Sequence, residues 1–115
     1  MKSLYGQYLA ERESKEIIES ENGFATYKIF NNNECYLQDI FVVASHRKSG
    51  LAREMTDKIV QIAKEQGCKT LIGSACIDDK NCTNNMKVFL AYGMQIDKVI
   101  GTMIFLRKDI GDNNG

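Results

Sequence analysis

The feature of this sequence that most constrains its fold is an apolar run followed at once by a short basic turn and an amphipathic pattern. The apolar run covers residues 36–43 and has the composition of a buried β-strand. The turn consists of Arg47, Lys48, Ser49, Gly50, Leu51 and Ala52. Apolar residues then recur every three or four positions, which predicts a helix from about Gly50 to Gln66 that ends at Gly67. A strand, a turn and a helix in this order predict a fold that mixes α and β elements.

The same turn is suited to binding phosphate. The first backbone N–H groups of a helix have no intrahelical partners, and the helix dipole places partial positive charge beside them. Gly50 has no side chain to keep a ligand away from the backbone, and Arg47 and Lys48 add positive charge. The alternative is an ordinary connection between a strand and a helix, with Arg47 and Lys48 solvated.

Hydrophobic periodicity and turn signals predict the remaining elements. A helix over residues 4–12 precedes two strands, residues 15–20 and 24–30, that are joined by Asn22-Gly23. The third strand covers about residues 34–43 and the fourth residues 69–76. A second main helix follows and ends at Gly93, and residues 94–106 form one or two strands. The order α-β-β-β-α-β-α-β-β predicts an α+β fold, with helices on a twisted, mostly antiparallel sheet and one parallel crossover at the main helix. We expect one domain over residues 1–110 and a polar tail over 111–115.

The third predicted strand has a break in its alternation. Leu37, Ile40 and Val42 resemble one buried set, yet strict alternation places Leu37 and Ile40 on opposite faces. A β-bulge near Gln38-Asp39 would restore one face. A strand that is covered on both faces is the alternative.

Composition excludes several classes of protein. The formal net charge is zero, so the broad basic surface that binds nucleic acid is absent, and the local basic patch suits a small polyanion better. No run of residues approaches the length needed to cross a membrane, and the N-terminus lacks the apolar core of a signal peptide, so we expect a cytoplasmic protein. The four cysteines have no C-x-x-C spacing and there is one histidine, so we expect reduced thiols and no metal site.

The turn and the element order resemble the GNAT superfamily of acetyl-CoA-dependent N-acetyltransferases. Arg47, Gly50 and Ala52 fill the fixed positions of that family's R/Q-x-x-G-x-G/A signature. Phe89, Gly93 and Met94 lie where the family has an aromatic residue, a glycine and a second aromatic residue. The resemblance covers about residues 15–106.

The resemblance implies that acetyl-CoA is the co-substrate and that an amine is the acceptor. The family binds the pyrophosphate of coenzyme A on the amides of the signature turn, here Lys48, Ser49, Gly50, Leu51 and Ala52, with Arg47 beside them. The pantetheine arm is implied to pair with the third strand at Phe41, Val42 and Val43, and Phe89 is implied to contact the cofactor. The acetyl group would lie where the third and fourth strands separate, and an amine would attack it there.

The sequence departs from the family at the proton donor. The family usually has Tyr at the position of Phe89, and that Tyr protonates the departing thiolate. Tyr92 lies three residues later on the same predicted helix and is the candidate proton donor in place of that Tyr. Packing beside Gly93 is an equally suitable role for it. Asp39 is the candidate general base, and a solvated strand residue is the alternative for it.

A second departure concerns the N-terminus, where typical members have a further strand and helix that help to enclose the acceptor. The resemblance therefore implies an open acceptor site, or a homodimer in which a second subunit completes it. Two functions follow for testing: an N-acetyltransferase, or a CoA-binding module of the same fold that has lost its chemistry.

Overall fold

The computed structural model of the chain describes residues 3–30, 33–80 and 82–111. Within them, the helices are α1 (Leu4–Glu13), α2 (Leu51–Glu65) and α3 (Cys82–Ala91), and a single 3-10 turn covers Ala44–His46. The strands are β1 (Glu16–Ser20), β2 (Gly23–Phe30), β3 (Glu34–Val42), β4 (Thr70–Cys76), β5 (Gln95–Ile100) and β6 (Met103–Asp109). Apart from the added 3-10 turn, this is the predicted order of elements.

The strands form one sheet in the order β1-β2-β3-β4-β6-β5. Its neighbours are antiparallel except for β3 and β4, which are parallel and are joined through α2. The predicted α+β class and the crossover at the main helix are therefore confirmed. None of the helices in the described part of the chain is long and apolar enough to cross a bilayer.

The amphipathic face of α2 builds the core against the sheet. Met55, Ile59 and Ala63 repeat at three- and four-residue spacing, and all three are buried with Leu37 of β3 and Leu71 of β4. Burial of these aliphatic side chains fixes α2 on one face of the sheet. The first residue of α2, and with it the basic turn, is thereby held beside the end of β3.

A β-bulge interrupts β3 where the sequence predicts it. Thr26 pairs with Asp39 and the next residue, Tyr27, pairs with Leu37, so Gln38 is the extra residue. Leu37 is fully buried, and Ile40 and Val42 pack against the same core. The bulge therefore restores one buried face across the break in alternation.

Strands β3 and β4 are paired over only part of their length. The parallel register extends from Glu34 opposite Thr70 to Leu37 opposite Gly73 and stops at the bulge. Beyond it, β3 continues beside β2 and β4 continues beside β6. The two central strands thus separate, and the gap between them opens beside α2 and α3.

The first hairpin turn differs from the predicted one. Ser20 pairs with Gly23, so the hairpin loop is Glu21-Asn22 and Gly23 already belongs to β2. A Cβ atom on Gly23 would meet the carbonyl oxygen of Phe41, so the glycine is needed for close approach of β2 and β3.

The last predicted segment, residues 94–106, is divided into two strands, β5 and β6. A turn at Gly101-Thr102 separates β5 from β6, and Gly101 has a φ of +59°, which glycine adopts readily.

The division into a domain of residues 1–110 and a tail of 111–115 stays a prediction, since residues 112–115 lie outside the described part.

Candidate functional site

A cavity of about 1030 Å³ extends from the end of β3 to the facing sides of α2 and α3. The predicted site residues Phe41, Val42, Arg47, Lys48, Gly50, Leu51, Ala52, Asp39 and Tyr92 all line it. They come from strand β3, the basic turn, the start of α2 and the end of α3. The fold therefore brings most of the predicted residues to one cleft.

The basic turn has an unusual backbone. Gly50 is the N-cap of α2 with a φ of +90°, and Lys48 has a φ of +71°. A left-handed conformation suits glycine but is unfavourable for lysine, so this short turn holds a strained residue beside the cleft. A Cβ atom on Gly50 would meet nothing within 4 Å, so open space lies directly in front of the helix start.

Several backbone amides of this turn are left available. The Ser49 amide donates to the carbonyl oxygen of His46 at 3.3 Å, and the Leu51 amide makes a long contact of 3.4 Å with Ser49 Oγ. The amides of Lys48, Gly50 and Ala52 donate to no described residue. Free amides at a helix N-terminus provide the donors that a phosphate group needs.

Positive side chains line the same cavity as the basic turn. Arg47, Lys48, Arg53 and Lys87 all line the cavity, the last from α3. Nε of Arg47 donates to the carbonyl oxygen of Val42 at 3.0 Å, which fixes the guanidinium between the turn and β3. Four cations that line one cavity create a local positive potential on a chain of zero net charge.

Tyr92 lies where α3 faces α2. Its hydroxyl donates to Oδ1 of Asp57 at 2.6 Å, and its ring lies 5.7 Å from the Arg53 guanidinium. Burial raises the pKa of Tyr92 above its ordinary value, and the hydrogen bond and negative charge of Asp57 raise it further, whereas Arg53 acts in the opposite direction. Tyr92 is therefore a protonated group at the cleft.

Asp39 lies beside the bulge and is held by two partners. Oδ2 accepts a hydrogen bond from Thr26 Oγ1 at 2.7 Å and lies 3.9 Å from Nζ of Lys15. The Asp39 side chain stays more than half exposed, at 56 %. A carboxylate in this position is oriented by the buried Thr26 and is open to a ligand in the cleft.

Three of the predicted cofactor-binding residues are not in the cavity lining. Val43 donates its amide to the carbonyl oxygen of Asn22 at 2.8 Å, and the hydroxyl of Ser49 donates to the carbonyl oxygen of His46. Phe89 is buried in the core with its ring against Gly73. These contacts give all three residues structural roles, and their assignment to the cofactor stays a prediction.

Sequence reasoning missed other residues of the cleft. Tyr5 of α1, Phe24 of β2 and Gln38 of the bulge also line it. Asp57 was missed because nothing local marks it, and it is recognised only through its bond to Tyr92, 35 positions away. The break in alternation in β3 was the one signal that could have singled out Gln38.

Comparison with known proteins identifies the family. Residues 5–89 match the model of the acetyltransferase (GNAT) family, and no curated protein sequence matches the chain. A structure from Desulfovibrio desulfuricans that is assigned to the GNAT family is similar, with 16% identity, a TM-score of 0.75 and coverage of 90% of this chain and 75% of that one.

Two further similar structures were solved with coenzyme A. PaiA N-acetyltransferase from Thermoplasma acidophilum has 12% identity and a TM-score of 0.73 over 92% of this chain and 68% of that one. An acetyltransferase from Bacillus subtilis has 14% identity and a TM-score of 0.68 over 90% of this chain and 82% of that one. At these identities the structures establish the fold, and the family match covers most of the sequence. The chain belongs to the acetyltransferase (GNAT) family.

Proposed function

We propose that the protein transfers the acetyl group of acetyl-CoA to a primary amine by direct attack in a ternary complex. The amine nitrogen forms a bond to the thioester carbonyl carbon and the carbon–sulfur bond breaks. The nitrogen loses a proton and the thiolate of coenzyme A gains one. Catalysis of this kind depends on holding both substrates in one geometry and on donors directed at the carbonyl oxygen.

The observation that carries the proposal is the start of α2. The amides of Lys48, Gly50 and Ala52 donate to no described residue, open space adjoins Gly50, and cations line the same cavity, so the residues present fit a diphosphate group. Coenzyme A supplies such a group together with a long arm that ends in a thiol. Its pantetheine arm would continue along β3 at Phe41 and Val42 toward the gap between the strands.

The same cavity also holds candidates for proton transfer. We assign Asp39 as the base that accepts the proton of the amine, since its carboxylate is oriented and open to the cleft. We assign Tyr92 as the donor to the thiolate, because it lines the cleft and keeps its proton at neutral pH. To donate, its hydroxyl must turn from Asp57 toward the sulfur.

The test is a thioester turnover assay with acetyl-CoA and a panel of primary amines, with acetylated product identified by mass spectrometry. We expect amine-dependent release of free thiol that is matched by acetylated amine. Equilibrium binding of desulfo-CoA is measured in parallel. The absence of any affinity for coenzyme A would overturn the proposal for the turn as well as for the reaction.

One observation favours a second candidate, a CoA-binding module without chemistry. Phe89 occupies the position of the family tyrosine and is 3% exposed, and the hydroxyl of the substitute, Tyr92, is bound to Asp57. Tight binding of coenzyme A with no acetyl transfer to any amine or protein lysine would favour this alternative.

A further inference from the structure

An aromatic cluster lines part of the cleft. It consists of Tyr5, Phe24 and Phe41, which come from α1, β2 and β3. The rings of Tyr5 and Phe24 are 6.1 Å apart and nearly perpendicular, at 73°, and those of Phe24 and Phe41 are 5.8 Å apart. These distances are typical of favourable aromatic contacts, so the three rings form one continuous apolar surface.

The cluster lies on the face of the sheet opposite α2. Phe24 pairs with Phe41, and their neighbours Ala25 and Ile40 turn inward to the core beneath α2. Because side chains alternate along a strand, Phe24 and Phe41 point to the other face. The cavity therefore joins the basic turn to an aromatic surface on the other face of the sheet.

The rings of this cluster are accessible. Phe41 is 45% exposed and Tyr5 is 48% exposed, whereas Phe24 lies between them. Single exposed aromatic residues are common on protein surfaces, but three that are joined through Phe24 and line one cavity form a surface that a flat apolar group can cover. Stacking on such rings is favourable for an aromatic ligand and weaker for an alkyl chain.

Two residues with hydrogen-bond acceptors, Gln38 and Asp39, line the same cavity. Oε1 of Gln38 is buried and has no partner among the described residues. A buried acceptor without a donor is costly, and a rotation of the side chain that lets Oε1 accept an N–H of a ligand in the cavity would relieve that cost. Asp39 provides a negative charge next to it in the bulge. An ammonium or amine group suits this pair of acceptors.

Charge in the cavity argues against a polyamine. Arg47, Lys48, Arg53 and Lys87 line it against the carboxylates of Asp39 and Asp79. A ligand with several ammonium groups would place the outer ones near cations, which is unfavourable. A single amine on an apolar body satisfies both the acceptors and the rings.

From these observations we infer that the acceptor is a primary amine joined by a short linker to an aromatic ring, with the ring on Tyr5, Phe24 and Phe41 and the nitrogen at Gln38 and Asp39. The inference rests on the proposed acetyl transfer for its placement beside the thioester. It goes beyond that proposal by naming the class of amine. Phe41 and Tyr5 are then the residues that determine specificity.

The experiment compares phenethylamine with n-butylamine and spermidine, in acetyl transfer and in calorimetric binding to the complex with coenzyme A. We expect kcat/KM for phenethylamine to exceed that for each of the other two amines by about tenfold or more. Phe41→Ala and Tyr5→Ala should each reduce the ratio of phenethylamine to n-butylamine severalfold. The ratio is insensitive to changes in acetyl-CoA binding, since both amines use the same co-substrate.

Phe30→Ala is the matched control. Phe30 is an exposed aromatic residue of β2 that contacts Tyr36 and does not line the cavity, so its loss should leave the ratio unchanged. Transfer to all three amines without preference, or with preference for spermidine, would overturn the inference and leave the proposed function intact. If no amine is acetylated, the proposed function fails. In that case the calorimetric binding of the amines tests the proposed class of ligand. That inference is overturned if phenethylamine binds no better than n-butylamine.

Discussion

The hydroxyl of Tyr92 donates to Oδ1 of Asp57 at 2.6 Å, which links the end of α3 to the second turn of α2 across the candidate cleft. Residues of both helices line the cavity in which the proposed function places coenzyme A. Burial raises the pKa of Tyr92, and the bond raises it further, because a carboxylate acceptor stabilises the protonated phenol. One pair thus joins the architecture of the cleft to its proposed chemistry.

Tyr92→Phe should slow acetyl transfer by about a hundredfold with little change in affinity for coenzyme A, since a lost proton donor costs this much in other enzymes. Tyr36→Phe is the control, because that hydroxyl bonds Ser74 and does not line the cavity. Equal rates for wild type and Tyr92→Phe would remove Tyr92 from the mechanism.

Asp57→Asn tests the coupling between the two residues directly. It removes the negative charge and weakens the hydrogen bond, which both raise the pKa of Tyr92, so that pKa should fall toward its ordinary value. The readout is the tyrosinate absorbance of each protein minus that of its Tyr92→Phe counterpart during alkaline titration. If the titration curve of Tyr92 in Asp57→Asn does not move to lower pH than in the wild type, the bond to Asp57 has no influence on the pKa of Tyr92.

Gly50→Glu should weaken binding of coenzyme A at least tenfold, because it places bulk and negative charge in the open space at the start of α2. Gly67→Glu is a close control, since Gly67 has a φ of +86° with nothing within 4 Å and lies beyond the other end of the same helix. Calorimetric titration with coenzyme A compares the two. Equal affinities would show that the turn does not bind the diphosphate.

Asp39→Asn should lower kcat/KM for an amine by about tenfold to a hundredfold if the carboxylate accepts the amine proton. Thr26→Val separates this effect from a structural one, because it removes the hydroxyl that holds Asp39 and leaves the carboxylate in place. We expect a smaller loss for Thr26→Val in the same initial-rate assay. If both variants lose activity equally, Asp39 acts only through the structure around the bulge.

The alkaline limit of stability should depend on Cys35. Burial raises the pKa of its thiol from 9.0 to about 12, so the folded state keeps this proton when the unfolded chain releases it. The contribution of the Cys35 thiol to the free energy of unfolding is complete below pH 9 and is lost as the pH rises toward 12. The free energy of unfolding should therefore fall in this range, by at most about 1.4 kcal/mol per pH unit for one group.

Cys35→Ala should make that decline shallower, whatever it does to stability at neutral pH. Cys82→Ala removes a half-buried thiol as a control. Urea unfolding at several pH values gives the slopes. Burial also raises the pKa of Tyr27 to about 12, so part of the decline above pH 10 should survive in Cys35→Ala.

The fold could be predicted because its signals are local. The apolar period of α2 gives the helix its buried face, and Gly50 and Gly67 mark the positive φ angles at its two ends. The bulge was predictable for the same reason, since the break in alternation between Leu37 and Ile40 is visible in one strand. The basic turn followed from its position between that strand and α2.

What the sequence did not predict depends on contacts between distant segments. Gly23 resembles a turn glycine, but its place in β2 follows from the approach of the Phe41 backbone, which no local pattern records. The contact of Tyr5 with Phe24 joins α1 to β2 and appears only when both are packed. Phe89 matches a motif position by spacing, and only the structure shows its ring against Gly73.

The contact between Gly73 and Phe89 gives the last prediction. A Cβ atom at position 73 would lie 3.0 Å from Cζ of Phe89, so Gly73→Ala should overpack the core and lower the free energy of unfolding by about 1–3 kcal/mol. In a Phe89→Leu background the shorter side chain leaves room, and the same substitution should cost much less. Urea unfolding of the two single variants and the double variant gives the coupling energy. Additive losses would show that the ring does not require the glycine, and would leave Phe89 open to the cofactor role that its motif position suggests.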